Sequence, residues 1–144
     1  MDERYTRIVP EALKLLNTRW LHQGRNPKFG LDCAGVVVEV GKRAGFFSAS
    51  FEDYNRYKRA PDSNKFEAHF DRYGDRIPKN QVRDGDVAVF GTGLYSFHCG
   101  ILFYDNGVLK MIHGYYQSGK VVITPIDAKW KSLWRSTFRY KEAV

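Results

Sequence analysis

The side chains able to act as nucleophiles or to carry protons near neutral pH gather in three short stretches: Asp32-Cys33-Ala34-Gly35, His98-Cys99-Gly100 and Ile112-His113-Gly114. The last two flank Asn106-Gly107, the strongest short signal for a two-residue β-hairpin turn. If Asn106 and Gly107 form that turn, Asp105 pairs with Val108. Counting outward then pairs Gly100 with His113 and His98 with Tyr115. Directly opposed residues share a face of the sheet, as do residues two apart along a strand. His98 and His113 therefore fall on one face as diagonal neighbours, with Cβ atoms roughly 7 Å apart, close enough for the rings to hydrogen-bond. A base oriented by a second group is what an activated nucleophile requires. Alternation sends Cys99 to the opposite face with Ile101 and Phe103, where it reads as a small core residue.

Cys33 is the candidate nucleophile. Asp32 is a good N-cap, and a helix starting there puts Cys33 in its first turn. There the helix dipole and the free backbone N–H groups favour a thiolate, and the same N–H groups can hold a developing oxyanion. Simpler readings stand beside this one. A cysteine ahead of a valine run also reads as a buried core thiol, and a single strand histidine as a surface residue or one satisfied by its neighbours. Cys33, His98, Cys99 and His113 could also be read as zinc ligands. Alternation argues against that, because His98 and Cys99 face opposite ways.

The elements that must position these residues follow from spacing. Ile8, Ala12, Leu15 and Leu16 recur at helical intervals, and Pro10 suits an early turn. A polar, glycine-bearing loop covers residues 23 to 30. Residues 31 to 40 are ambiguous: four valines in five positions favour a buried strand, whereas the Asp32 cap favours a buried helix. Phe66, Phe70 and Tyr73 mark a short amphipathic helix after a cap at Asp62 or Ser63. Strand signals cover residues 86–90, 98–104, 108–113, 121–126 and 137–140. Helices first and an antiparallel meander after them make the expected class α+β.

The 144 residues make about one domain, long enough to bury a core without disulfides, and residues 1–144 are expected to form a single domain. The net charge is +7, which favours anionic partners such as an acidic wall polymer. The basic residues are scattered, and the densest stretch, Arg56-Tyr57-Lys58-Arg59, brings no nucleic-acid motif with it. A basic DNA-binding module would have to show strongly salt-dependent duplex binding. The first seven residues lack the apolar core of a signal peptide, and no run approaches membrane-spanning length. Cytoplasmic synthesis is the expectation, with no membrane partner and with delivery by other means if the target lies outside.

Taken in order, the motifs resemble those of the NlpC-type cell-wall peptidases. Thr18-Arg19-Trp20-Leu21-His22-Gln23-Gly24 is similar to the family's loop ahead of the nucleophile, and Asp32-Cys33-Ala34-Gly35 to its nucleophile motif. Gly85-Asp86-Val87, His98-Cys99-Gly100-Ile101 and Ile112-His113-Gly114 resemble its base region. The blocks span roughly residues 8 to 126. His22-Gln23 after Trp20, a longer segment after the nucleophile helix, and a closing Phe138-Arg139-Tyr140 resemble the branch found in phage tails and gene transfer agents.

The resemblance implies a papain-like fold with a helix over Cys33 to Ala44 packed on a central antiparallel sheet. It implies Cys33 as nucleophile, His98 as base and then acid, and His113 as orienter, with no metal and no cofactor. It places Trp20, His22 and Asp32 near the substrate or oxyanion. The substrate class it implies is the peptidoglycan stem peptide, commonly cut between D-glutamate and diaminopimelate, and the partners are tail proteins of a virion or gene transfer agent. An amidase of a neighbouring papain-like branch and a catalytically silent tail-tip protein are the alternatives. Trp20 stands where the family usually has Tyr, and Ala34 where it usually has Ser.

Overall fold

A computed structural model describes residues 2–53, 63–92 and 95–142. The Arg56–Arg59 stretch and the Asp62 cap lie outside the described residues. After a 3-10 turn at Glu3–Arg7, α1 spans Ile8–Leu13, with Pro10 in its first turn and Ile8 and Ala12 buried. The loop expected over 23–30 contains a two-rung hairpin, β1 (Arg25–Asn26) and β2 (Gly30–Leu31).

Residues 31–40 resolve in favour of the helix. α2 spans Cys33–Ala44, capped by the Asp32 carboxylate, which accepts from the Gly35 N–H at 2.8 Å. It ends at Gly45, whose φ of 97° closes the helix in the left-handed region that glycine tolerates. The valine run is compatible with a helix because this one is buried on nearly every side, so no polar stripe interrupts it. Cap chemistry and burial override β-propensity here.

α3 (Ser63–Asp71) buries Phe66, His69 and Phe70. Then come β3 (Gly74–Arg76), β4 (Val87–Thr92), β5 (Tyr95–Asp105), β6 (Val108–Tyr115), β7 (Lys120–Pro125), α4 (Ala128–Leu133) and β8 (Trp134–Tyr140). β3 and α4 have no counterpart in the sequence reading. β3 has only three residues, and the aromatic content of 130–134 hides a one-and-a-half-turn helix.

β3 to β8 form one antiparallel sheet in the order β3-β8-β4-β5-β6-β7. Residues alternate between its two faces. One packs Val87, Val89, Cys99, Ile101 and Ile112 against α1, α2 and α3. The other packs Ala88, Phe90, Leu102 and Met111 against Trp130 of α4. The β5–β6 hairpin turns at Asn106 (φ 49°) and Gly107 (φ 80°), with Asp105 opposite Val108 as counted from the sequence.

The outer end of that hairpin departs from the count. The β5–β6 ladder ends at Ile101–Ile112, so the expected Gly100–His113 and His98–Tyr115 pairs are not formed. The start of α2 occupies this point: a Cβ built on Gly114 would stand 2.9 Å from the Asp32 carbonyl oxygen and 3.3 Å from the Cys33 nitrogen.

Candidate active site

Cys33 enters from the start of α2, whose backbone lies against Gly114 of β6 just beyond the last rung of the β5–β6 ladder. Cys99 and His98 are the groups that act most strongly on its thiol. The influence of Cys99, then that of His98 and its positive charge, holds the Cys33 thiol well below the usual cysteine range, although burial works the other way. Only 8% of Cys33 is exposed, and the same is true of His98, so the pair works in a site with little water.

His98 and His113 share the α4 face of the sheet, where both rings pack against Trp130 and Tyr115. Their nearest nitrogens, His98 Nε2 and His113 Nδ1, are 2.6 Å apart, and the ring planes are inclined at 75°. The diagonal relation counted from the turn therefore survives as a ring-to-ring bond, although the ladder rungs beside it are missing. His113 is fully buried, and burial, with the His98 charge behind it, pushes its pKa down to about 2. It is an uncharged imidazole across the neutral range.

That fixes how the protons are shared. With His98 Nε2 turned to His113, Nδ1 is the nitrogen left for Cys33. A charged His98 donates from Nε2 to His113 Nδ1, so His113 carries its own proton on Nε2. His113 Nε2 lies 2.8 Å from Thr124 Oγ1, to which it can donate. The set runs Cys33, His98, His113, Thr124 across α2, β5, β6 and β7.

Thr124 is the member that sequence reasoning missed. β6 and β7 pair His113 with Val122 and Met111 with Thr124, so Thr124 is diagonal to His113, as His98 is on the other side. The signal was strand register. The connection between these strands is a 3-10 turn over Tyr116–Ser118 closed by Gly119 rather than a two-residue turn, so the count could not be made.

Asp32 caps the helix, as expected, and also ties down the loop ahead of it. Oδ1 accepts from the Gly35 N–H and from Arg25 Nη1 (2.9 Å), while Oδ2 accepts from the Gln23 N–H (2.9 Å). Both oxygens fasten the preceding loop to the helix start. Arg25 continues the chain to Asp53, at 2.8 and 2.9 Å, and Asp53 Oδ2 lies 2.8 Å from His69 Nε2. Burial would raise the Asp53 carboxyl, but the bonds from His69 and Arg25, with the Arg25 charge, outweigh it and hold the pKa well below the usual range. Gly35 is required by the same loop, because a Cβ there would fall 2.2 Å from the Gly24 carbonyl oxygen. Trp20 and His22 sit on that loop. The Trp20 ring meets Tyr116 edge-on at 4.9 Å and lies beside His22 at 6.3 Å.

The family model described as "NlpC/P60 family" matches residues 17–139. The chain belongs to this family. Solved NlpC/P60 structures share its fold of helices on a central antiparallel sheet. One is an NLP/P60-family protein similar to a lipoprotein from Staphylococcus aureus, at 21% identity and a TM-score of 0.68. This chain covers 42% of that protein with 97% of its own length. Another is the NlpC/p60 domain of the peptidoglycan hydrolase SagA, at 19% identity and a TM-score of 0.65, covering 93% of this chain and 97% of that one. An N-acetylmuramoyl-L-alanine amidase from Bacteroides uniformis superposes with a TM-score of 0.70 at 15% identity, over 97% of this chain and 100% of the amidase. No curated protein matches the sequence. Among the described residues no group of three or more His, Cys, Asp or Glu side chains is arranged to hold a metal ion.

Proposed function

We propose that this NlpC/P60 chain hydrolyses bacterial peptidoglycan as a cysteine peptidase. The observation that carries the reading is the set in which Cys33 meets His98 and His98 meets His113 at 2.6 Å. The Cys33 thiolate attacks the scissile carbonyl carbon, and the backbone N–H groups at the start of α2 receive the oxyanion. His98, protonated on both nitrogens, gives its Nδ1 proton to the leaving amine as the tetrahedral intermediate collapses to a thioester. The neutral ring then takes a proton from water, which attacks the thioester and frees Cys33. His113 fixes the orientation and tautomer of His98 throughout, and Thr124 does the same for His113.

For the bond we propose the amide between D-glutamate and diaminopimelate in the stem peptide. For the setting we propose a tail component of a phage or gene transfer agent that acts on the wall during DNA entry. Support comes from His22-Gln23 after Trp20, the long segment between α2 and β4, and the closing Phe138-Arg139-Tyr140. A second reading, cleavage of the muramoyl-alanine amide, draws on the amidase fold that superposes end to end.

Purified peptidoglycan, digested with the protein and analysed by mass spectrometry, separates these readings. Stem fragments with a new diaminopimelate amine support the peptidase. Intact stem peptides released from the glycan support the amidase. No release by a folded protein whose Cys33 alkylates normally would overturn both and leave a silent structural protein.

A further inference from the structure

We propose that Arg19 and Lys120 form a subsite for a free carboxylate of the stem peptide. The segment ahead of β1 is laid along the start of β7 by three backbone bonds. The Asn17 N–H donates to the Val121 carbonyl (3.0 Å), the Val121 N–H to that of Thr18 (2.8 Å) and the Trp20 N–H to that of Gly119 (2.9 Å). The last two bonds flank Arg19 and Lys120 and make them a directly opposed antiparallel pair with no rung of its own. That is the closer of the two cross-strand arrangements, with Cα atoms about 4.5 Å apart and both side chains on one face. Two like charges so placed destabilise the pairing. Both side chains are exposed, and among the described residues neither forms an ion pair with a carboxylate.

Strand register ties this pair to the reacting groups. Lys120 is opposite Tyr115 on β6, so Arg19, Lys120 and Tyr115 lie in one row across the sheet. Directly opposed residues share a face. Tyr115 is on the face that carries His98 and His113, its ring centroid 5.7 and 4.9 Å from theirs. The cations thus stand beside the histidine pair with one side chain, Tyr115, between. The turn before Lys120 adds Tyr116, 59% exposed and edge-on to Trp20 at 4.9 Å. Two unpaired cations and an open aromatic ring on one rim suit an anionic, partly apolar ligand. D-glutamate and diaminopimelate each carry a carboxyl group outside the amide proposed for cleavage, so the stem peptide supplies that charge. A carboxylate held between the two cations relieves their repulsion, and a cost in the free protein becomes affinity in the complex.

The subsite presupposes the peptidase reading, and binding is therefore measured apart from turnover. Calorimetry of the Cys33→Ala protein compares a synthetic L-alanyl-D-glutamyl-diaminopimelate stem peptide with the same peptide converted to its carboxamides. The carboxylate form should bind roughly twentyfold more tightly at low salt, about fivefold for each exposed cation. Adding Arg19→Gln or Lys120→Gln should cut the preference to about fivefold, and both together should abolish it. Lys110→Gln, which removes a cation paired with Asp105 at the far end of the β5–β6 hairpin, should leave it unchanged. Melting temperatures of the Arg19→Gln and Lys120→Gln proteins should equal or exceed that of their background, because a repulsion is removed. Equal affinity for the two peptides, no binding of either, a preference that survives the double substitution, or one that Lys110→Gln erodes as much, overturns the subsite. So does a melt that falls along with affinity, which would make the pair structural. Hydrolysis of neither peptide by the parent overturns the peptidase reading instead.

Discussion

Two polar chains meet at the first turn of α2, and they are built on opposite principles. One runs from Cys33 through His98 and His113 to Thr124, over strands whose register sets every spacing. The other runs from the Asp32 cap through Arg25 to Asp53 and His69, over loops and a helix. The first ends in an uncharged imidazole and a hydroxyl. The second carries a bidentate ion pair between a guanidinium and a carboxylate that is only 1% exposed. Groups that pass a proton gain from small energy differences between protonation states. Groups that fix a loop gain from charges that cannot change. The same helix start thus meets rings and a hydroxyl on one side and fixed charges on the other.

If this division is right, the largest losses of activity lie on the ring side. Cys33→Ala should abolish hydrolysis, and His98→Ala should lower kcat by about 10²–10⁴-fold, the usual size of acid–base catalysis. Melting temperatures of both should stay near the parent. A His98→Ala protein that turns over normally would remove His98 from the chemistry.

On the charge side the loss should be one of stability. Asp53→Ala leaves Arg25 buried without its bidentate carboxylate, which typically costs about 3–5 kcal/mol. Urea unfolding should show this directly, and the fraction that stays folded should still alkylate at Cys33. Activity lost without any loss of stability would mean that this network takes part in catalysis.

His113 tests where the two principles meet. His113→Asn keeps a hydrogen-bonding group, so it should retain more activity than His113→Ala, and both should exceed His98→Ala in single-turnover rates. Acid unfolding adds a second reading. The folded pKa of His113, about 2, is below the unfolded value of about 6.5, so its contribution is complete above pH 6.5 and is lost as pH falls toward 2. Asp53 is also depressed, and its contribution fades only below the unfolded carboxylate value of about 4. His113→Asn should therefore flatten the stability profile between pH 6.5 and 4, and Asp53→Asn only the part below it. Identical profiles for the two variants would erase the distinction.

The smallest effect is expected at Thr124. Thr124→Val removes the acceptor for His113 Nε2–H, worth about 0.5–1.5 kcal/mol, or roughly two- to tenfold in kcat/KM. Thr124→Ser should restore the parent value.

What the sequence disclosed divides along the same line. Asn106-Gly107 fixed the hairpin, and through it the shared face of His98 and His113, because a two-residue turn leaves one register. It did not disclose that the ladder stops at Ile101–Ile112, since that depends on Gly114 admitting a helix from a distant part of the chain. The valine run of α2 was undecidable from its own residues, because a wholly buried helix and a buried strand share one composition. The Asp32–Arg25–Asp53–His69 chain was also out of reach. Its members come from a loop, a cap, a second loop and a helix, with no periodicity to relate them. Cys99 was read correctly as a core residue, but alternation alone could not show that the same core contains Cys33.

The strand order carries a consequence for synthesis. β8, the latest strand in the sequence, is an interior one, inserted between β3 and β4. Until residues 134–140 leave the ribosome, β4 is an open edge carrying Val87 and Val89, a template for pairing with other chains. Cys33, His98, His113 and Thr124 have all been made by residue 124, before that edge is closed. A nascent chain therefore holds all four side chains while the sheet that spaces them is incomplete. Completion of the sheet waits for β8.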